Sequence, residues 1–259
     1  MPVIAVVGLK GGSGKSLTTI TLAGELARRG RGVDLIDGDP FRAATRWALE
    51  TQCDVHVEAL AGALLRPDLL LEHIEQSGHV GIVDTPSMDR EKQWNAMMAS
   101  DVVLIPVIPG VLSTDTLTPT LALAQEAQRL RPWLRVGVFW TRGPRGTTRL
   151  AGASLVPRDW LMNVALSDRP QHERAMIEGV PVVSIAPRSV AAKEARLFAD
   201  AVEMMLPKRI DPSMPRTGLP TKTPQTVLLG DDGEVPDGWA EPTVFMAEED
   251  VLDRAPTDL

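Results

Sequence analysis

Between Gly8 and Leu17 the chain reads Gly-Leu-Lys-Gly-Gly-Ser-Gly-Lys-Ser-Leu. The apolar run Met1-Pro2-Val3-Ile4-Ala5-Val6-Val7 precedes it. Ile20, Ala23, Gly24 and Ala27 follow at spacings of three and four, with Gly30 as a stop. Strand, glycine turn and helix are therefore expected in immediate succession. That order is what phosphate binding requires. Residues without side chains let backbone N–H groups turn inward as a nest, and the helix that follows directs its positive end to the same point. Lys15 is placed to reach β- and γ-phosphates, and the Ser16 hydroxyl to ligate Mg²⁺. A tight connection with no ligand is the competing reading. It does not account for Gly-Lys-Ser after a buried strand. The N-terminal run has no basic residues before it and leads into glycines rather than a cleavage site, so it reads as a strand and not a signal peptide.

The same alternation continues. Short apolar runs stand at Ile4–Gly8, Gly32–Ile36, Val55–Ala59, Val80–Val83, Val102–Val107, Val136–Trp140 and Met162–Leu166, with a weaker one at Val182–Ile185. Helical periods lie between them, and Ala191, Ala195, Phe198, Val202 and Met205 form a last stripe before Pro207. Strands apolar on both faces and separated by helices predict an α/β fold, a mainly parallel sheet flanked by helices on both faces.

No run of eighteen apolar residues is present, so no membrane-spanning helix is expected. Cys53 is the only cysteine, which excludes an intrachain disulfide and a cysteine-only metal site. A cytoplasmic protein is the simplest expectation. The net charge of −7 is uneven: from Pro207 onward there are 5 Lys+Arg against 11 Asp+Glu, and 8 of the 21 prolines. Residues 1–206 are read as one domain, and 207–259 as an acidic, proline-rich, flexible tail. The nearly neutral domain could still present a basic face. His56, His73, His79 and His172 have no metal-ligand spacing and are read as structural or surface residues. Trp47 is read as a core aromatic on the second helix.

Two further segments end strands in carboxylates: Val33-Asp34-Leu35-Ile36-Asp37-Gly38-Asp39-Pro40 and His79-Val80-Gly81-Ile82-Val83-Asp84-Thr85-Pro86. Ligands of open α/β sheets bind at the carboxyl ends of strands, and a carboxylate there can hold a Mg²⁺-bound water. Alone, Asp-Gly-Asp-Pro would be a turn.

The standard phosphate-loop pattern would place its first glycine at Leu9. Lys10-Gly11-Gly12-Ser13-Gly14-Lys15-Ser16 instead resembles the deviant Walker A motif, K-G-G-x-G-K-[ST], of the ParA/MinD superfamily of P-loop ATPases. The resemblance covers nearly all of residues 1–206 and none of the tail. It implies a homodimer formed on ATP binding, in which Lys10 reaches the nucleotide of the other subunit, as an arginine finger does. It implies nucleotide contacts from Gly11, Gly12, Ser13, Gly14, Lys15, Ser16 and Leu17. By the D-x-D-P match Asp39 orients or activates the attacking water, and Asp37 supports the Mg²⁺ shell with Ser16 and Asp84. Asp84-Thr85-Pro86 resembles the Walker B switch, although Ser87 and Met88 follow where a second proline is common. Thr141-Arg142 and Ile185-Ala186-Pro187-Arg188-Ser189 resemble the segments that flank the base, which implies contacts from Thr141, Arg142 and Pro187.

Within the superfamily, the single cysteine excludes an Fe–S-bridged dimer. The absence of tyrosine excludes a tyrosine autokinase, and the acidic end lacks a basic membrane helix. With only Met1-Pro2 before the first strand, no N-terminal DNA-binding module is expected. Asp39 through Trp47 is similar to the stretch found in short, ParF-like ParA partition ATPases. That resemblance implies DNA partitioning, ATP hydrolysis stimulated by a centromere-binding, ParB-like partner, and non-specific DNA binding with nucleoid association. The candidate basic residues are Arg142, Arg145, Arg149, Arg188, Lys193 and Arg196. Two alternatives stay open: an ATP-dependent positioning or scaffold protein of a conjugation or other cargo system, and a metabolic ligase similar to dethiobiotin synthetase.

Overall fold

The computed structural model describes residues 1–59, 66–108, 114–143 and 155–207. The 207–259 tail beyond Pro207, and with it Arg145 and Arg149, lies outside them. Among the described residues seven strands form one sheet: β1 (Val3–Val6), β2 (Val33–Asp37), β3 (Val55–Ala59), β4 (Val80–Asp84), β5 (Val102–Val107), β6 (Arg135–Thr141) and β7 (Leu161–Leu166). Their order is β3-β2-β4-β1-β5-β6-β7, and every pairing is parallel. The helices are α1 (Lys15–Arg28), α2 (Ala43–Glu50), α3 (Pro67–Ser77), α4 (Arg90–Ala99), α5 (Thr114–Leu130), α6 (Pro170–Ile177), α7 (Val182–Ile185) and α8 (Val190–Met205). None is long and apolar enough to cross a membrane.

Alternation along β1 shows why both faces must be covered. Val3 and Ala5 enter a core with Ile74 of α3, Trp94 and Met97 of α4 and Leu121 of α5. Ile4 and Val6 enter a second core with Ile20 and Leu26 of α1, Trp47 of α2 and Phe198 of α8. All four strand residues are fully buried, so β1 reads as a continuous apolar run. Trp47 is a core residue, as expected.

The weak run Val182–Ile185 is not an eighth strand. It forms the short helix α7, started by Pro181, whose carbonyl accepts from Ser184 N at 2.8 Å and Ile185 N at 3.2 Å. Val182 and Val183 pack against Ala191, Ala192 and Ala195 of α8. Tertiary burial here overrides the extended preference of β-branched residues.

The second layer is locked by charge. Glu25 of α1, buried on the α8 side, accepts from Arg28 Nε at 2.8 Å and Arg29 Nε at 2.9 Å, and Arg29 reaches on to Asp200 and Glu203 of α8. Burial alone would raise the Glu25 carboxyl, but the two arginines outweigh it and hold it below the usual range. Its contribution is thus present above the unfolded carboxylate pKa and lost as pH falls through the depressed folded value. Glu25→Ala is expected to cost about 1–3 kcal/mol at pH 7. Urea unfolding at pH 7 and pH 3 should show the difference shrinking in acid.

Candidate functional site

The phosphate-loop residues lie beyond the carboxyl end of β1, between the ends of β4 and β5, where the order of strands reverses. Gly12 has φ +74° and Gly14 has φ +93°, conformations that residues with side chains rarely adopt. Gly14 caps α1 without a side-chain cap, and the first turn carries no acidic residue. The N–H groups at the start of this helix are therefore left facing an anion site. Gly14 is also pressed against β6: a Cβ there would lie 2.9 Å from Thr141 Oγ1. Thr141 Oγ1 itself donates to the Ser13 carbonyl at 2.6 Å. Thr141, expected at the base, thus buttresses the loop from below.

Lys15 is buried, and its ammonium donates to Ser87 Oγ at 2.6 Å and the Lys10 carbonyl at 3.3 Å. Burial pushes its pKa down, against the pull of Asp84 and Asp39. The Lys10 ammonium is placed differently. It has no side-chain partner among the described residues and does not line the cavity that Lys15 enters; it borders a small recess with Gly8, Ser13 and Thr120.

Three carboxylates converge from β2 and β4. Asp37 Oδ2 accepts from Thr45 N and Thr45 Oγ1, both at 2.8 Å, and its Oδ1 accepts from Asp39 N at 3.0 Å. Asp37 therefore anchors both α2 and the turn that presents Asp39. Asp39, half-buried on the cavity wall, accepts from Phe41 N at 2.9 Å through Oδ1. Asp84 has no exposed surface; neither carboxylate oxygen makes a hydrogen bond of full geometry, but the Ser16 hydroxyl stands close enough to favour its charged form. Burial pushes its pKa up to about 7; the Ser16 hydroxyl and Lys15 oppose this, while Asp37 and Asp39 add to it.

Of these carboxylates Asp39 borders a cavity of about 910 Å³, which Gly11, Gly12, Gly14, Lys15, Ser16 and Leu17 also line. Arg142 lines it too, with φ 52° and a hydrogen bond to the Gly12 carbonyl at 3.4 Å. The rest of its lining includes Ser167 through Pro170 and residues of α6, among them His172 and Met176. None of these residues after β7 was expected at the site from the sequence, although their place after the carboxyl end of β7 was a usable signal. Pro187 does not line the cavity; its carbonyl accepts both guanidinium NH₂ groups of Arg196 at 3.1 Å. Gln93 of α4, also not singled out, is fully buried and ties Gly8 to Pro86 through Gly8 O at 3.1 Å and Pro86 O at 2.8 Å. A glutamine inside a helical stripe carries no signal of such a bridge.

A family profile described as the CobQ/CobB/MinD/ParA nucleotide binding domain matches residues 4–202. The chain belongs to this family. Among CobQ/CobB/MinD/ParA relatives, Maintenance of carboxysome distribution protein A from Halothiobacillus neapolitanus is 27% identical over 197 residues, covering 74% of this chain and 91% of its own. Protein ParA from Rhizobium radiobacter is 34% identical over 131 residues, 49% of this chain and 58% of its own. The fold matches that of the septum site-determining protein MinD of Pyrococcus horikoshii, solved with Mg-ADP, at a TM-score of 0.60 and 19% identity over 78% of this chain and 96% of the other. The expected P-loop fold of the MinD/ParA type is thus confirmed.

The residues fit a magnesium nucleotide. Positive-φ glycines and a helix start suit phosphate. A fully buried carboxylate beside a serine hydroxyl suits a hydrated cation. Among the described residues no group of three or more His, Cys, Asp and Glu is arranged as a metal site.

Proposed function

We propose that this chain is a ParA-type ATPase that dimerises on ATP binding and positions DNA in plasmid or chromosome partitioning, with hydrolysis stimulated by a ParB-like, centromere-binding partner. The observation that carries the reading is Lys10: a cation with no side-chain partner among the described residues, next to the phosphate loop yet off the wall of its own cavity. Such a group is free to complete a second subunit's site. In this reading Gly11 to Leu17 hold the phosphates, and Arg142 packs beside them. Ser16 and Asp84 hold Mg²⁺, with Asp37 behind them, and Asp39 accepts a proton from the attacking water or aligns it. Bound Mg²⁺ supplies charge compensation for the β- and γ-phosphate oxygens. Lys15 leaves Ser87 for the phosphates, which ties phosphate occupancy to the segment after Asp84. Residues 1–206 form the ATPase domain, the 207–259 tail serves the partner, and the protein acts in the cytoplasm, on the nucleoid when ATP-bound.

A second reading has its own support. The relative named for maintenance of carboxysome distribution is matched over 91% of its length, so the cargo could be a protein assembly rather than DNA. Sedimentation with ATP, ADP and no nucleotide should show a dimer only with ATP, and Lys10→Ala should abolish it and lower ATP turnover at least about ten-fold. Unchanged dimerisation and turnover would refute the trans role. Steeply salt-dependent binding of ATP-loaded protein to random-sequence DNA favours partitioning; its absence favours the protein cargo.

A further inference from the structure

The part of the cavity lined by the segment after β7 and by α6 holds a polar side chain that the fold leaves unused. Two of its polar residues are committed to one carboxylate. Ser167 N and Oγ contact Glu194 of α8 at 3.1 and 2.9 Å, and Arg169 grips the same carboxylate through Nε at 3.1 Å and a terminal NH₂ at 2.8 Å. His172, on the first turn of α6, is 3% exposed, lines the cavity, and has no hydrogen-bond partner at Nδ1 or Nε2. Most buried polar groups are paired in folded proteins, and what sets His172 apart is that its idle imidazole belongs to a residue lining the nucleotide-sized cavity.

We infer that His172 is a specificity-determining residue that hydrogen-bonds the nucleoside half of the bound nucleotide. The phosphates are assigned to Gly11, Gly12, Gly14, Lys15 and Ser16, so the remainder of the ligand has the rest of the lining, α6 included, to occupy. Pro170 and Met176, on the same wall, offer apolar surface to a flat base. Burial pushes the His172 pKa down, with Arg169 adding to this and Glu194 and Asp168 opposing it. A neutral imidazole offers one donor and one acceptor. That pair suits the uncharged edge of a base or a ribose hydroxyl, whereas a phosphate oxygen calls for a cation.

The inference rests on the nucleotide reading of the site, and the test separates the two. Full-length protein, His172→Phe and His172→Asn are titrated with ATP, 2′-deoxy-ATP, GTP and inorganic triphosphate. Removing the hydrogen bond should weaken ATP about ten-fold in His172→Phe, leave inorganic triphosphate unchanged, and collapse the preference for ATP over GTP or over 2′-deoxy-ATP. Collapse against GTP assigns the contact to the base; collapse against 2′-deoxy-ATP assigns it to the ribose. His172→Asn, which keeps a donor and an acceptor, should recover part of the preference. Unchanged affinity and selectivity in His172→Phe overturns the inference, as does an equal loss for ATP and triphosphate, which marks a structural role. If the wild-type chain binds neither ATP nor triphosphate, the nucleotide reading itself fails and takes this inference with it.

Discussion

Lys15→Ala is expected to lower ATP turnover by at least about two orders of magnitude, the scale of losing one charge clamp on a transferring phosphoryl group. The size follows from the environment of this lysine. Its ammonium is buried and has no carboxylate in direct contact; it donates to a hydroxyl and a carbonyl, with Asp84 and Asp39 acting from a distance. A charge held in this way is poorly compensated until phosphate arrives, so its interaction with the ligand is stronger than that of a solvated surface lysine. Loss of the side chain should also free Ser87, and with it the segment after β4. Nucleotide titration and steady-state phosphate release measure both effects. A variant that keeps turnover within three-fold of wild type would remove Lys15 from the phosphate site.

Much of this site was legible before the fold was known, because it is written in local chemistry. Positive φ at Gly12 and Gly14 goes with the glycines themselves, and the α1 stripe with its Gly30 stop reads directly from spacing. Asp39 and Asp84 were visible as carboxylates ending apolar runs. What escaped depends on contacts between distant segments. Thr141 stands at the end of β6, as a base contact would, but its role is set by the closeness of Gly14, 127 positions away in sequence. The wall at Ser167–Met176 exists because Glu194 of α8 holds Ser167 and Arg169, and no period or motif announces that. Val182–Ile185 was misread because a four-residue apolar run is equally compatible with a strand or a buried helical turn. Pro187 carries a recognisable motif, yet its carbonyl is turned to Arg196.

Asp84→Asn should move stability and activity in opposite directions. Burial of the carboxylate outweighs the help of the Ser16 hydroxyl and Lys15, and Asp37 and Asp39 stand near enough to oppose ionisation. The folded pKa is thus raised from the ordinary 3.8 to about 7. A carboxyl of this kind favours the folded state below its unfolded pKa, and that contribution is lost as pH rises through about 7, where the buried group must ionise. Asparagine removes the ionisation penalty. In EDTA-containing buffer at pH 8 the variant is therefore expected to be more stable by on the order of 1–3 kcal/mol. Near pH 4 the advantage should vanish. Turnover should fall at least about a hundred-fold, because the neutral side chain cannot hold the hydrated cation or balance Lys15. Paired urea melts at pH 4 and pH 8, with phosphate release measured on the same preparations, check both signs. A variant less stable than wild type at pH 8 would mean that Asp84 is held by a partner in the folded protein. A variant that kept its turnover would take the cation away from this carboxylate. The exchange of stability for a charge placed where the ligand needs it is what separates a functional carboxylate from one retained for packing.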